Sequence, residues 1–337
     1  MKYLLLIIIS ILVLLFSSYC IEPFSNAEKI SSDEMVTKLN NMYNSETGVV
    51  FRALERCNNF YQDEESCIKK EIDGPHGGDP SIESASSTWL RHDMIEAHFY
   101  SDINFNNTIF DVYLLLRGDQ KKECDFVQDA GFNGCGKALP CEGDADKLAL
   151  EYLDSCQPKG YKIPCNNPTI CNFTDQELLV NTYNTIIRKI KEDGSKYNDI
   201  TVKEPQRQVF WDQGKENGGK YEPPIAVGFL YDVNNPQRVA ASKNLAKDFR
   251  DAVVKKYPKM KLPLVQIYRD DKFKISFKNY SENLPKDVVC NTDMSFPACS
   301  SPDTNKCLEY LKINKCTDNL YVKGCTNNVC QYSKINV

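Results

Sequence analysis

The stretch 225-IAVGFLYDVNNPQRVAASKNLAKDF-249 decides the fold of this chain. It begins with an unbroken apolar run, which is typical of a strand that is covered on both faces. The asparagine pair that follows caps a helix with Pro236 in its first turn, and Leu245 and Phe249 belong to the inner side of that helix. A second apolar run, 262-LPLVQIY-268, comes next. The order strand, helix, strand predicts that a sheet and a helix pack in layers.

Further strands and helices extend this unit on both sides. Residues 273–277 form another strand candidate after a tight turn at Asp270-Asp271, and a short strand candidate spans 199–202. A capping box that starts at Thr174 opens an earlier helix, and Ser32 caps a helix near the N-terminus. The pattern predicts an α+β fold, in which helices pack on a layered sheet and disulfides reinforce the structure.

The N-terminus has the three-part pattern of a secretory signal peptide. Lys2 precedes an apolar run from Tyr3 to Phe16, and small polar residues follow it before Cys20. Because that run is shorter than the roughly 18 to 20 residues of a spanning helix, we expect residues 1–20 to be cleaved. No later segment is apolar enough to cross a bilayer, so no transmembrane segment is expected after cleavage.

The cysteines indicate an oxidising compartment. One of the fifteen, Cys20, belongs to the signal, and the remaining number is even. We expect disulfides among Cys57, Cys67, Cys124, Cys135, Cys141, Cys156, Cys165, Cys171, Cys290, Cys299, Cys307, Cys316, Cys325 and Cys330. Their clustering predicts a main α+β domain over 21–289, with a cysteine-rich middle segment at 124–171, and a cysteine-rich C-terminal appendage over 290–337.

Three N-glycosylation sequons agree with secretion. They begin at Asn106, Asn172 and Asn279. Signal, cysteines and sequons together predict a glycoprotein of the secreted or lysosomal lumen. The formal net charge is −5 and no basic stripe is present, which excludes nucleic acid as an expected partner.

The histidines gather in one segment. His92 and His98 lie within 89-WLRHDMIEAHFYSD-102, and His76 precedes it. His92 can be a metal ligand that shares a helix face with Glu96, an acid–base group oriented by Asp93, or a packed structural residue. No recognised zinc or nucleotide motif is present, so no metal or cofactor is expected. The catalytic candidates here are His92 and Asp93.

Carboxylates supply the other catalytic candidates. Asp232 ends the strand IAVGFLY, and Asp270 follows the strand LPLVQIY, so both lie at one sheet edge if the strands are parallel. Asp212 follows Trp211, which adds an aromatic platform beside an acid. Two carboxylates in different environments are what glycoside hydrolysis requires, and this makes Asp212 and Asp232 candidates. The alternative is ordinary turn chemistry, because aspartate is common after strands.

Several of these features occur together in a known family. They are the His92-Asp93 pair, the sequon at Asn106, the run 110-FDVYLLL-116, a C-x5-C pair at Cys135/Cys141 or Cys165/Cys171, and 181-NTYNTIIRKIKEDGSKYNDITVKEP-205. With them, about a third of the chain resembles the lysosomal ceroid-lipofuscinosis neuronal protein 5 family. The resemblance implies a papain-like or NlpC/P60-like fold in permuted order, lysosomal residence, and His92 as catalytic histidine.

The chain departs from that family at the nucleophile. The resemblance implies a cysteine near the start of the helix after Asn235, but 236-PQRVAASKNLAKDF-249 contains none. The predicted function is therefore a hydrolase acting on glycosidic, acyl or thioester bonds, with a glycan or lipid/acyl substrate. The alternative is a non-catalytic binding glycoprotein that lacks a nucleophile.

Overall fold

The computed structural model of the protein describes residues 31–54, 57, 60–73, 84–99, 111–120, 122–128, 143–155, 175–197, 204–210, 223–231, 236–280, 307–308, 311, 316, 320–326 and 329–334. The predicted signal peptide lies outside these residues, as do Asp212, Asp232, Asn106, Asn172, His76, Cys135, Cys141, Cys156, Cys165, Cys171, Cys290 and Cys299. In the described part no helix is long and apolar enough to cross a membrane.

An eight-stranded mixed sheet forms the centre of the molecule. Its strands are β1 Val49–Ala53, β2 Ser84–Leu90, β3 Val112–Arg117, β4 Lys122–Gln128, β5 Glu204–Phe210, β6 Ala226–Tyr231, β7 Leu264–Arg269 and β8 Ile275–Asn279. They run in the order β4-β5-β2-β1-β3-β6-β7-β8, and β6–β7 is the one parallel pair among them. A separate two-stranded sheet contains β9 Leu320–Thr326 and β10 Val329–Lys334. The mixed sheet with helices confirms the predicted combination of a sheet and packed helices.

The described helices are α1 Ser32–Tyr43, α2 Glu64–Ile68, α3 Ala145–Ser155, α4 Gln176–Glu192 and α5 Pro236–Lys256. Two predicted caps were wrong by one residue. Ser31, not Ser32, caps α1 in a capping box with Glu34, and Asp175 caps α4 by accepting from the Glu177 and Leu178 amides. In both cases the neighbouring side chain reaches the free amides of the first turn. The strand candidate at 199–202 lies outside the described residues.

The predicted strand–helix–strand unit is present. α5 joins β6 to β7, which are parallel with Tyr231 opposite Tyr268. The two strands therefore end at the same sheet edge, which was the condition for Asp232 and Asp270 to follow neighbouring strand ends. Gly228 allows their close approach, because a Cβ atom there would lie 2.8 Å from Cδ1 of Ile267. Leu245 and Phe249 of α5 are buried.

The free edge of β8 is covered by a side chain of α1. The Asn40 amide nitrogen donates to the Phe277 carbonyl at 3.0 Å, and the Phe277 amide donates to the Asn40 side-chain oxygen at 3.0 Å. Asn40 thus pairs with the edge as a neighbouring strand would, which protects it from pairing with another chain. Behind this edge, Phe277 stacks on Phe51 of β1, with ring centroids 6.0 Å apart.

Two disulfides join cysteines that both lie in the described part of the chain. Cys57 pairs with Cys67 near the end of α2, and Cys307 pairs with Cys330 of β10. The first joins cysteines ten residues apart and the second joins cysteines 23 residues apart. The domain boundary predicted between 289 and 290 falls outside the described residues and stays a prediction.

Candidate functional site

The histidine-containing segment is an irregular stretch of backbone that we call the strap, residues 91–99. It follows β2 directly and contains neither helix nor strand. The expectation that His92 and Glu96 share a helix face is therefore wrong. The physical reason is that side chains from other elements, rather than helical hydrogen bonds, satisfy the polar groups of its backbone.

Helix α4 holds the middle of the strap. The Asn184 side chain accepts from the Ile95 amide at 2.8 Å and donates to the Asp93 carbonyl at 2.9 Å. The Tyr183 hydroxyl donates to the Glu96 carbonyl at 2.8 Å. Tyr183 and Asn184 are adjacent in α4, so one turn of this helix bonds the strap backbone at Asp93, Ile95 and Glu96.

The turn between β7 and β8 holds the other side. Lys274 donates to the His92 carbonyl at 3.2 Å and also to the Met94 carbonyl. The Ala97 amide donates to the Phe273 carbonyl at 2.7 Å, and Arg269 donates to the Ala97 carbonyl at 3.1 Å. Hydrogen bonds thus hold the strap along its length and fix its backbone geometry.

His92 and Asp93 are not hydrogen-bonded to each other in the described structure. The His92 side chain is exposed, and its backbone amide donates to the Tyr43 carbonyl at 3.0 Å. The Asp93 carboxylate instead accepts from Arg91 at 2.7 and 2.5 Å. Arg91 also meets Glu177 of α4 at 2.7 Å. The sequence placed the two catalytic candidates side by side, but the carboxylate has a different partner.

The Asp93–Arg91 pair shifts both pKa values in favour of the charged forms. Burial alone would raise the pKa of Asp93, but the hydrogen bonds and charge of Arg91 outweigh it and the pKa lies below its usual range. The hydrogen bond with Asp93 raises the pKa of Arg91, with a further contribution from Glu177. Asp93 therefore contributes a fixed negative charge beside His92 rather than a hydrogen bond to its ring.

A second ionic group lies at the far end of the strap. Glu96 and His98 are buried, and the Glu96 carboxylate lies 2.8 Å from Nε2 of His98. Lys191 of α4 donates to the other Glu96 oxygen. Burial would raise the pKa of Glu96, but the hydrogen bonds from Lys191 and His98 lower it overall. Glu96, considered as a metal ligand together with His92, instead bonds Lys191 and His98.

Two further groups around the strap have shifted pKa values. Burial raises the pKa of Tyr43 to about 12, and the charges of Asp93 and Asp270 add to that effect. Burial lowers the pKa of Lys274, against the opposing charges of Asp93, Asp270 and Glu96. Shifted pKa values concentrate at functional sites, and this concentration makes the strap the candidate site.

Phe273 is a residue at this site that the sequence did not single out. It has φ 58° in the turn between β7 and β8, a left-handed conformation that favours glycine. Its ring is 36 % exposed and lies 5.0 Å from the ring of His98. The sequence predicted a turn at Asp270-Asp271 but shows no glycine in it. This was the available signal that a residue other than glycine takes the left-handed conformation there.

The carboxylate candidates are only partly described. Asp270 lies in the turn after β7, where its carboxylate accepts from the Lys272 and Lys274 amides at 2.9 and 2.8 Å. That is the turn chemistry considered as the alternative. Asp232 follows Tyr231, whose ring stacks on Tyr268 at 5.7 Å, but Asp232 and Asp212 themselves lie outside the described residues. Their catalytic roles stay predictions.

A groove runs beside α1. It has a volume of about 600 Å³ and is lined by Asp33, Glu34, Thr37, Lys38, Asn41, Met42 and Ser45. The sequon residue Asn279 is exposed at the end of β8, and its amide donates to Asp33.

Comparison with known proteins gives no assignment: no family model, no curated protein and no solved structure matches this chain. In the part of the chain that the structure describes, no three His, Cys, Asp or Glu residues are grouped so that they could hold a metal ion. The arrangement offers one exposed imidazole on a rigid backbone, beside a fixed negative charge.

Proposed function

We propose that this chain is a disulfide-bonded glycoprotein of the secretory pathway, resident in the secreted or lysosomal lumen, that acts as a hydrolase with His92 at its site. The observation that carries the proposal is the exposed His92 side chain on a strap that three other elements hold by hydrogen bonds. The disulfides Cys57–Cys67 and Cys307–Cys330 support the oxidising compartment.

His92 suits proton transfer because imidazole titrates near the pH at which most enzymes work. Rigid positioning of such a group lowers the entropic part of the reaction barrier. Asp93 places a negative charge on the residue next to His92, and Arg91 keeps that charge in place. The reaction is cleavage of a glycosidic, acyl or thioester bond, with Asp212 and Asp232 as the carboxylates in the glycosidic case.

The family resemblance extends the proposal to architecture. A permuted papain-like or NlpC/P60-like arrangement is supported by the mixed sheet, the early histidine and the packing of α5 on the sheet. The absence of cysteine from 236–249 excludes a thiolate at the start of α5, where the resemblance implies one. Hydrolysis assisted by carboxylates therefore suits this chain better than acyl transfer through a cysteine.

The second candidate function is a non-catalytic binding glycoprotein. It is favoured by the partners of the strap carboxylates: Asp93 meets Arg91, and Glu96 meets Lys191 and His98. Among the described contacts, none joins a carboxylate to the His92 ring. A strap built around ion pairs also suits a rigid binding surface.

The test compares purified, glycosylated protein with its His92→Gln variant on fluorogenic glycosides and acyl thioesters at acidic and neutral pH. Because His92 is exposed, we expect the variant to keep its melting temperature and to lose turnover by about 100-fold, the lower range for a removed acid–base group. The matched control is Glu46→Gln, another exposed residue in a loop, which should keep full turnover.

Equal turnover in the wild type and the His92→Gln variant would reject His92 and direct attention to Asp212 and Asp232. Absence of turnover from a well-folded wild type would support the binding glycoprotein instead.

A further inference from the structure

The backbone of Phe273 is determined by the turn, not by its own side chain. The Phe273 amide donates to the Asp270 carbonyl at 3.1 Å, and the Asp270 carboxylate accepts from the amides of Lys272 and Lys274. These bonds impose a positive φ on position 273. Glycine or asparagine would adopt it at lower cost, so the turn geometry gives no reason for a phenylalanine.

The phenyl ring contacts two neighbouring side chains and stays partly exposed. The His98 ring lies 5.0 Å away at an angle of 49°, and the Arg269 guanidinium lies 5.3 Å from the ring centroid. His98 is in turn held by Glu96. Phe273 nevertheless stays 36 % exposed. Residues held in sparsely populated backbone conformations cluster at active sites and ligand-binding sites.

We infer that Phe273 is the aromatic contact of a carbohydrate-binding site beside the strap. This deepens the proposed hydrolase, because it names a glycan as the substrate class, and it rests on that proposal for the catalytic step alone. An aromatic face covers the apolar C–H face of a sugar ring, while nearby polar groups fix the orientation of the sugar.

The polar groups around Phe273 suit sugar hydroxyls. Asp271 and Lys272 are exposed in the same turn and supply an acceptor and a donor. Lys274 connects the turn to the strap at the His92 carbonyl, which places the exposed His92 on the adjoining segment. Residues 270–274 contain two aspartates and two lysines, so their charges cancel. A neutral polyol fits this balance better than the anionic surface of a membrane.

The experiment is saturation-transfer NMR and calorimetric titration of the full, glycosylated chain with cellotriose, maltotriose, mannotriose and chitotriose. The variants are Phe273→Gly, which removes the ring and suits the backbone, and Phe273→Trp, which keeps an aromatic face. Leu150→Ala is the matched control, since Leu150 of α3 is 39 % exposed and apolar. We expect one of the trisaccharides to bind, at least tenfold more weakly to Phe273→Gly and unchanged or tighter to Phe273→Trp and Leu150→Ala.

Two results would overturn the inference: no trisaccharide binds the folded wild type, or Phe273→Gly binds as well as the wild type. Sedimentation with phosphatidylcholine–phosphatidylserine vesicles that requires Phe273, without sugar binding, would assign the residue to a membrane and also reject the glycan. Turnover that depends on His92 without any sugar binding rejects this inference alone. Sugar binding that depends on Phe273 without turnover rejects the hydrolase and keeps the site.

Discussion

Single side chains hold the strap in a shape that its own backbone would not keep. Asn184 uses both ends of its amide, one for the Asp93 carbonyl and one for the Ile95 amide. Loss of such a partner leaves a backbone group without its bond, which costs about 1–3 kcal/mol when the group is buried. Glu96 acts in the same way through charge, because Lys191 and His98 both depend on it.

Acid should weaken the protein partly through Glu96. Burial raises its pKa, but Lys191 and His98 bring the folded-state pKa below 4.5. The unfolded state then binds more protons, so the stabilisation is complete above 4.5 and is lost as the pH falls through the folded pKa. We expect Glu96→Gln to lower the melting temperature at pH 7, and by progressively less as the pH falls below 4.5 and the wild-type carboxylate also becomes protonated.

The control for this titration is Glu192→Gln. Glu192 is an exposed residue of α4, the helix that contains Lys191, and it forms an ion pair with Lys189. It should change the melting temperature little at any pH, since exposed pairs contribute about 0–1 kcal/mol. A Glu96→Gln effect that stays equally large down to pH 3 would contradict the linkage.

At the residue scale, Phe273 differs from Asn184 and Glu96 because its backbone conformation costs free energy. Its left-handed backbone costs on the order of 1 kcal/mol, while its ring gains packing against His98 and Arg269. The exposed part of the ring is available for the proposed sugar contact.

At the scale of elements, side chains of the strands beside β6 leave no room for a Cβ atom at Gly228. A Cβ atom on Gly228 would lie 2.8 Å from Cδ1 of Ile267 and 3.2 Å from Cδ1 of Leu115. Leu115 belongs to β3, so side chains of both neighbouring strands pack over this glycine. The parallel pairing of β6 and β7 brings their ends to one edge, where Tyr231 stacks on Tyr268.

Gly228→Ala should therefore push these strands apart. We expect it to lower the free energy of unfolding by about 1–3 kcal/mol, the usual cost of overpacking a core. Adding Ile267→Val removes the Cδ1 atom in closest contact and should restore part of the loss. Chemical denaturation of the single and double variants measures both effects.

Gly194→Ala is the matched control, because a Cβ atom there meets only the Ile190 carbonyl at an ordinary 3.6 Å. If Gly228→Ala were as stable as Gly194→Ala, or if Ile267→Val gave no recovery in the double variant, the close approach of β6 and β7 would not be the limiting contact.

At the scale of the whole molecule, the large sheet and the disulfides together stabilise the fold. The large sheet joins strands from residue 49 to residue 279, so its pairs are mostly distant in sequence. The β9–β10 hairpin forms its own sheet, and Cys307–Cys330 attaches the segment before it to β10. A short hairpin has little core of its own, which makes the crosslink important there.

Replacing both Cys307 and Cys330 with serine should lower the free energy of unfolding by about 3 kcal/mol, as expected for a loop of that length. The Cys57→Ser/Cys67→Ser pair closes a shorter loop, ten residues against 23, and should cost slightly less. Denaturation with urea under non-reducing conditions measures both. An unchanged midpoint for the Cys307/Cys330 variant would show that the hairpin holds without its crosslink.

Much of the element pattern could be predicted from local sequence. The strand IAVGFLY, the helix that starts at Pro236 and the strand LPLVQIY are where their apolar patterns placed them, and the parallel pairing followed. The misplaced caps at Ser32 and Thr174 have a simple cause. Several polar residues adjoin each helix start, and the one that caps is decided by which side chain reaches the free amides.

The strap shows where local sequence stops being informative. His92 and Glu96 have helical spacing, yet no helix forms, because bonds from residues up to 182 positions away satisfy the backbone. Asp93 is adjacent to His92 in sequence but bonds Arg91. A charged side chain on the surface has several possible partners of similar energy, and only the packed arrangement selects one.

The sequence alone therefore determined the layered α+β class and the strand–helix–strand unit, because both depend on neighbouring residues and hydrophobic periodicity. The tertiary structure alone decided the irregular course of the strap, the partners of its charges and the exposure of Phe273. All three features depend on contacts among the strap, α1, α4 and the β7–β8 turn, which are distant in sequence. Each of these contacts forms only when the others have brought the elements together.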